Sequence, residues 1–157
     1  MSRQPTRTVF TEGALEEKRA TALYEYFRDN IEWEEGIRSS RKGFTRLAKS
    51  IILDDYPEIE EILRELLPKG RAYSIYGVYL NYYQNGEMWT PNHSHAKTQQ
   101  LIVSLGATRT LVVGKKEFKM SNGSSIIFGS TVHGVPREPD VRDGRISIAT
   151  FMQSCEI

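Results

Sequence analysis

The 157-residue chain contains three histidines, His93, His95 and His133, and the first two are spaced i, i+2. On a β-strand that spacing sends both side chains to one face, where both imidazoles can reach one ion. Neutral imidazole is the commonest protein metal ligand, and iron, zinc, copper and nickel all accept it. His133 follows residues 124–128, which read as a strand, and offers a third donor. The competing reading is two loop histidines and one unrelated core histidine, and a bare HxH pair does not decide between them.

The surroundings do more. Asn81-Tyr82-Tyr83 ends a strand-like run, Gly86 makes a turn, and His93 follows. Later come His133-Gly134-Val135-Pro136 and Arg145-Ile146-Ser147-Ile148. In this order the residues of segment 73–152 resemble the AlkB-like branch of the iron(II)/2-oxoglutarate dioxygenases. That pattern is Asn-x-Tyr, a turn glycine, H-x-D, a distal His and an Arg further on. The resemblance implies a double-stranded β-helix, Fe(II) as metal, and 2-oxoglutarate and O2 as cosubstrates. It implies His93, His95 and His133 as catalytic metal ligands, and Asn81, Tyr83, Arg145 and Ser147 around 2-oxoglutarate. Arg145 suits the far carboxylate, because a planar guanidinium binds a carboxylate through two parallel bonds. The implied reaction is hydroxylation or oxidative demethylation, and the implied substrate is an alkylated nucleobase in DNA or RNA.

Two positions depart from the pattern. The aspartate of H-x-D is His95, so two histidines and a carboxylate become three histidines. A second arginine, expected six residues after the first, is Phe151. The chain also leaves little room for a nucleotide-recognition lid.

Two rival functions remain. Cupins share the double-stranded β-helix and carry HxH followed by an acid and a glycine. Here Gln99 stands in place of the acid and Gly106 follows; a cupin would not call for Asn81, Tyr83 or Arg145, so under this reading the chain is a cupin-like three-histidine metalloenzyme without 2-oxoglutarate. A catalytically degenerate module could instead bind single-stranded nucleic acid. Its contacts would be the basic stretch 38–49 (Arg38, Arg41, Lys42, Arg46 and Lys49, with Phe44) and Trp89. Trp33 and Trp89 could equally be core anchors.

The elements that must position these residues follow from periodicity. Residues 1–12 read as a loose N-terminal arm or an edge strand, and residues 39–49 as a loop or an edge segment. Apolar residues at Leu15, Ala22, Leu23, Tyr26 and Phe27 predict a helix over 14–30. Pro57, the stripe from Ile59 to Leu67 and the closing Pro68 predict another over 57–67. Strands are expected at 73–83, 99–105, 108–113, 117–120, 124–128 and 145–152, punctuated by glycine turns. Two helices before many short strands predict an α+β fold, a jelly roll with both N-terminal helices packed on one sheet, as a single domain over 1–157. Net charge is +1, so no strong field points to nucleic acid or a membrane surface. No apolar run approaches the about 20 residues of a membrane span. With Cys155 alone no intrachain disulfide can form, which suits an intracellular compartment.

Overall fold

The computed structural model describes residues 7–36, 38–39 and 43–155. In chain order these form β1 (Val9–Thr11), α1 (Glu17–Asn30), β2 (Glu34–Glu35), β3 (Arg38–Ser39), β4 (Gly43–Phe44) and β5 (Leu47–Ile51). A 3-10 turn (Leu53–Asp55) leads into α2 (Pro57–Leu66). Then come β6 (Ala72–Tyr83), β7 (Thr90–His93), β8 (Gln99–Gly106), β9 (Arg109–Val113) and β10 (Lys116–Met120). The last are β11 (Ser125–Phe128), β12 (His133–Val135) and β13 (Arg145–Cys155).

Two sheets face each other. The larger has the order β1-β11-β8-β13-β6-β5-β2, and the smaller β10-β9-β12-β7. All the recorded pairings are antiparallel, as a double-stranded β-helix requires. Each face of the large sheet is covered. Ile146 and Ile148 of β13, with Val78, Leu80, Leu101, Val103 and Leu105, pack against Leu15 just before α1, Ala20 and Phe27 of α1, and Ile59, Ile62 and Leu63 of α2. On the opposite face Tyr83, Ile102, Ile126, Phe128 and Ala149 meet Leu111, Val113, Met120 and Val135. Alternation along β13 therefore sends Arg145, Ser147 and Ala149 between the sheets. The α+β jelly roll with two helices on one sheet is the observed architecture.

The helices form where the periodicity places them. Pro57 sits in the first turn of α2, Glu58 and Glu60 follow it, and Arg64 lies in the last turn, so the ends complement the helix dipole. Other expectations change. Val9–Thr11 is an edge strand paired with β11, so the loose-arm reading fails for that part. The end of the segment 39–49 belongs to β5, Leu47–Ile51, an interior strand between β6 and β2. Residues 37 and 40–42, which include Arg41 and Lys42 of the basic stretch, lie outside the described residues.

Gly86 is required by contact rather than by turn conformation. Its amide donates to Val141 O, its carbonyl accepts from Glu138 N, and a Cβ there would lie 1.7 Å from Glu138 O. Any side chain would push the loop after β6 away from the loop after β12.

Candidate metal centre

β7 and β12 pair with His93 directly opposite His133. Opposed residues of an antiparallel pair bring their side chains together, and these ring centroids are 4.3 Å apart. The close approach depends on Gly134, whose Cβ would meet Asn92 Oδ1 at 2.4 Å and Thr90 O at 2.9 Å. His95 lies two residues beyond β7, and its ring sits 4.9 Å from His93 and 5.7 Å from His133. One donor atom from each histidine lies within 4.8 Å of the others, and no carboxylate joins the group among the described residues. The i, i+2 spacing on one strand is thus not the cause of convergence. His93 and His133 meet across a strand pair, and a loop brings His95.

The imidazoles are set for a metal by their own chain. His93 Nδ1 donates to Pro91 O at 2.8 Å, and His133 Nδ1 donates to Thr131 O at 2.9 Å. Each bond fixes the tautomer that leaves Nε2 with a free lone pair. His133 is 4% exposed, and burial pushes its pKa down to about 4 against the opposing pull of the Thr131 carbonyl. Burial also lowers the pKa of His95, with His93 adding to the effect. Both rings are neutral at pH 7, the form a metal needs. Three neutral nitrogen donors fit a divalent first-row ion.

A pH dependence follows. The folded pKa of His133, about 4, lies below the reference value of 6.5, so the unfolded chain binds the extra proton first. Stability of the metal-free protein is therefore full above about pH 6.5 and falls towards pH 4, by on the order of 3 kcal/mol from this group. Denaturant melts from pH 7 to pH 4 measure it. A His133→Gln variant with the same acid slope as the parent would rule this origin out.

The interior face of β13 links the histidines to a second site. Phe151, where the family pattern has its second arginine, places its ring 4.9 Å from His95 and 5.4 Å from Tyr79. Ala149 and Ser147 keep the next stretch of that face small. Arg145 stands at the strand's start, 1% exposed. Its guanidinium donates from Nε to Ser104 Oγ at 2.8 Å, interacts with the side chain of Tyr83 and lies within electrostatic reach of Glu138, but among the described residues it forms no ion pair. Burial pushes its pKa below the usual arginine value. A buried cation with no direct ion pair is costly, and an anionic ligand beside it would offset that cost.

The other expected cosubstrate residues line the same face. Asn81 lies opposite Ser147 across the β6–β13 pair, with Nδ2 3.5 Å from Ser147 Oγ. Its Oδ1 already accepts from Arg46 Nε at 3.0 Å. Tyr83 lies opposite Arg145, and its hydroxyl is 2.6 Å from Thr90 Oγ1. Its ring is flanked by two guanidinium carbons, those of Arg109 and Arg145, each 5.3 Å from the centroid.

Sequence reasoning misses Arg109 and Gln100. Arg109, 1% exposed, donates to the carbonyls of Asn85, Met88 and Pro136 at 2.7–3.1 Å and approaches Glu138 at 3.4 Å. An arginine opening a strand gives no sequence sign of this. Gln100, rather than Gln99, turns inward, with Nε2 3.3 Å from His133 Nε2. Gln100 stands next to Gln99 at the start of β8, so residue type alone does not say which of the two turns inward.

The basic stretch is partly engaged within the protein. Arg46 binds Asn81, and Lys49 pairs with Glu34 at 2.9 Å. Trp89 lies beneath Arg137, 4.9 Å from its guanidinium carbon, while Trp33 packs against the helix-side core. No helix among the described residues is long and apolar enough to cross a membrane.

Together the facing sheets and the three convergent histidines define a double-stranded β-helix with a candidate metal centre. No protein-family model matches the chain, and no curated protein matches its sequence. Solved structures share the fold. A non-heme alpha-ketoglutarate-dependent carbocyclase, SnoK, from nogalamycin biosynthesis matches with a TM-score of 0.69 and 12% identity, covering 93% of this chain and 79% of its own. A viral collagen prolyl hydroxylase from Paramecium Bursaria Chlorella virus-1, in complex with 2OG, matches at 0.59 and 15% identity, covering 95% and 96%. The cupin domain of Schizosaccharomyces pombe Cnp3 matches at 0.52 and 8% identity, covering 80% and 71%.

Proposed function

We propose that this chain is an Fe(II)/2-oxoglutarate-dependent oxygenase that hydroxylates or oxidatively demethylates its substrate. One observation carries the reading. A three-imidazole cluster borne by the small sheet and the loop after β7, and a buried, ion-pair-free arginine on β13 of the large sheet, belong to the same double-stranded β-helix. A cupin-like metalloenzyme without 2-oxoglutarate would use the cluster and leave Arg145 with no ligand. The fold shared with SnoK and the viral prolyl hydroxylase supports the same choice.

In this reading His93, His95 and His133 hold the metal through ring nitrogens. Arg145 receives the far carboxylate of 2-oxoglutarate, and Ser147, Asn81 and Tyr83 add hydroxyl and amide contacts along the same face. When bound, Fe(II) supplies with O2 the oxidising power that couples decarboxylation of 2-oxoglutarate to succinate and CO2 with oxygen insertion into a substrate C–H bond. The chain's own contribution is to orient the cosubstrate and exclude water around it. The AlkB-like branch, and with it an alkylated nucleobase in single-stranded DNA or RNA as substrate, rests on the motif order from Asn81 to Arg145. An intracellular setting and a single working domain over residues 1–157 belong to the same reading.

The test is a thermal shift. With Mn(II) bound, 2-oxoglutarate at about 100-fold over its Kd adds about 2.7 kcal/mol to the native state and raises Tm by several degrees. Arg145→Met abolishes that rise and keeps metal binding. It also leaves the metal-free protein at least as stable as the parent, because it removes an uncompensated buried charge. No rise in the parent under these conditions moves the assignment to the cupin-like metalloenzyme.

A further inference from the structure

The carboxylate missing from the histidine cluster leaves a question of donors, and the interior of the barrel answers it. Gln100 lies on β8 with its backbone paired to Phe151 on one side and Phe128 on the other. Those two rings stand against the site, Phe151 beside His95 at 4.9 Å and Phe128 beside His133 at 4.8 Å. The glutamine between them is 2% exposed. Its amide has one hydrogen-bond partner among the described residues, the Nε2 of His133 at 3.3 Å.

The direction of that contact matters. Thr131 O holds the proton of His133 on Nδ1, so Nε2 presents a lone pair, and the Gln100 amide donates into it. The same lone pair is the one a metal takes. A cation there repels an N–H group and attracts a carbonyl. The terminal torsion of glutamine is soft and nearly two-fold, so exchanging nitrogen for oxygen needs no backbone change. An amide oxygen is a competent donor to hard and borderline divalent ions.

We infer that Gln100 is a fourth protein donor, its Oε1 joining His93, His95 and His133 on a divalent first-row ion. The inference rests on the three-histidine centre and is independent of whether 2-oxoglutarate binds.

The experiment uses the full chain with Co(II) or Mn(II) alone and no 2-oxo acid. Gln100→Leu keeps the volume and packs between Phe128 and Phe151, so the fold persists, as a metal-free thermal melt checks. Its metal affinity drops at least about tenfold. Gln100→Glu supplies a charged oxygen at the same reach, raises affinity by at least about tenfold, and shifts the visible bands of the Co(II) form. Parent-like affinity in Gln100→Leu overturns the inference. So does a Gln100→Glu variant with no gain and an unchanged Co(II) spectrum, which alone decides if the leucine variant does not fold. A parent that binds metal but not 2-oxoglutarate defeats the oxygenase reading and leaves this one standing.

Discussion

His133→Ala loses divalent-ion affinity by more than about 100-fold, and no other single change to the site costs as much. The removal of a residue that merely orients a ligand already costs 10–100-fold in typical sites. His133 offers more than orientation. It is the most buried of the three histidines, its tautomer is fixed by Thr131, and its strand partner is His93. Alanine leaves a gap against Phe128 and removes that nitrogen donor. His95 sits in a loop and is only partly buried, so His95→Ala weakens metal binding less. His95→Asp restores the carboxylate of the family pattern and keeps the metal. Anaerobic calorimetric titration with Fe(II), or with Mn(II) in air, ranks the three variants. Parent-level affinity in His133→Ala refutes the three-ligand centre.

Arg109→Met lowers unfolding free energy by about 3–5 kcal/mol, the range for breaking a buried charged network from one side. The guanidinium holds three carbonyls from two loops, and Glu138 links it to the amide of Thr110 through a 2.6 Å bond. Methionine keeps most of the volume and none of the donors, so those acceptors lose their partner while still buried. Arg145 makes the contrast, since methionine there removes an unpaired charge. Urea denaturation of both variants reads the difference. An Arg109→Met protein within about 1 kcal/mol of the parent would show that the loops are held by something else.

The helices and long strands were legible because their apolar spacing is long and regular, as in Ile59, Ile62 and Leu63 on α2. The strands that bear the histidines were not. β7 reads Thr-Pro-Asn-His and β12 only His-Gly-Val, too short and too polar for any period to register. Their pairing is imposed by the barrel and permitted by Gly134. The candidate ligands were found through residue type, and Arg145 through its order after them. Its burial and lack of an ion pair needed the three-dimensional arrangement. Gln100 went unread because a one-residue shift from Gln99 changes the face of the strand, and only the register with β11 and β13 fixes which glutamine points inward.

The place of β13 sets an order of events in time. It is the last described strand, yet it lies in the middle of the large sheet, between β6 and β8. A ribosome making this chain delivers β6 and β8 well before residues 145–155, and until then both strands have an open edge where their neighbour belongs. Open edges invite pairing with other chains. Closure depends on contacts across long sequence separations, which makes the final step slow. The arginine, the serine and the phenylalanine that finish the interior all arrive on that strand, so the nascent protein acquires its fold and its chemistry in the same late step.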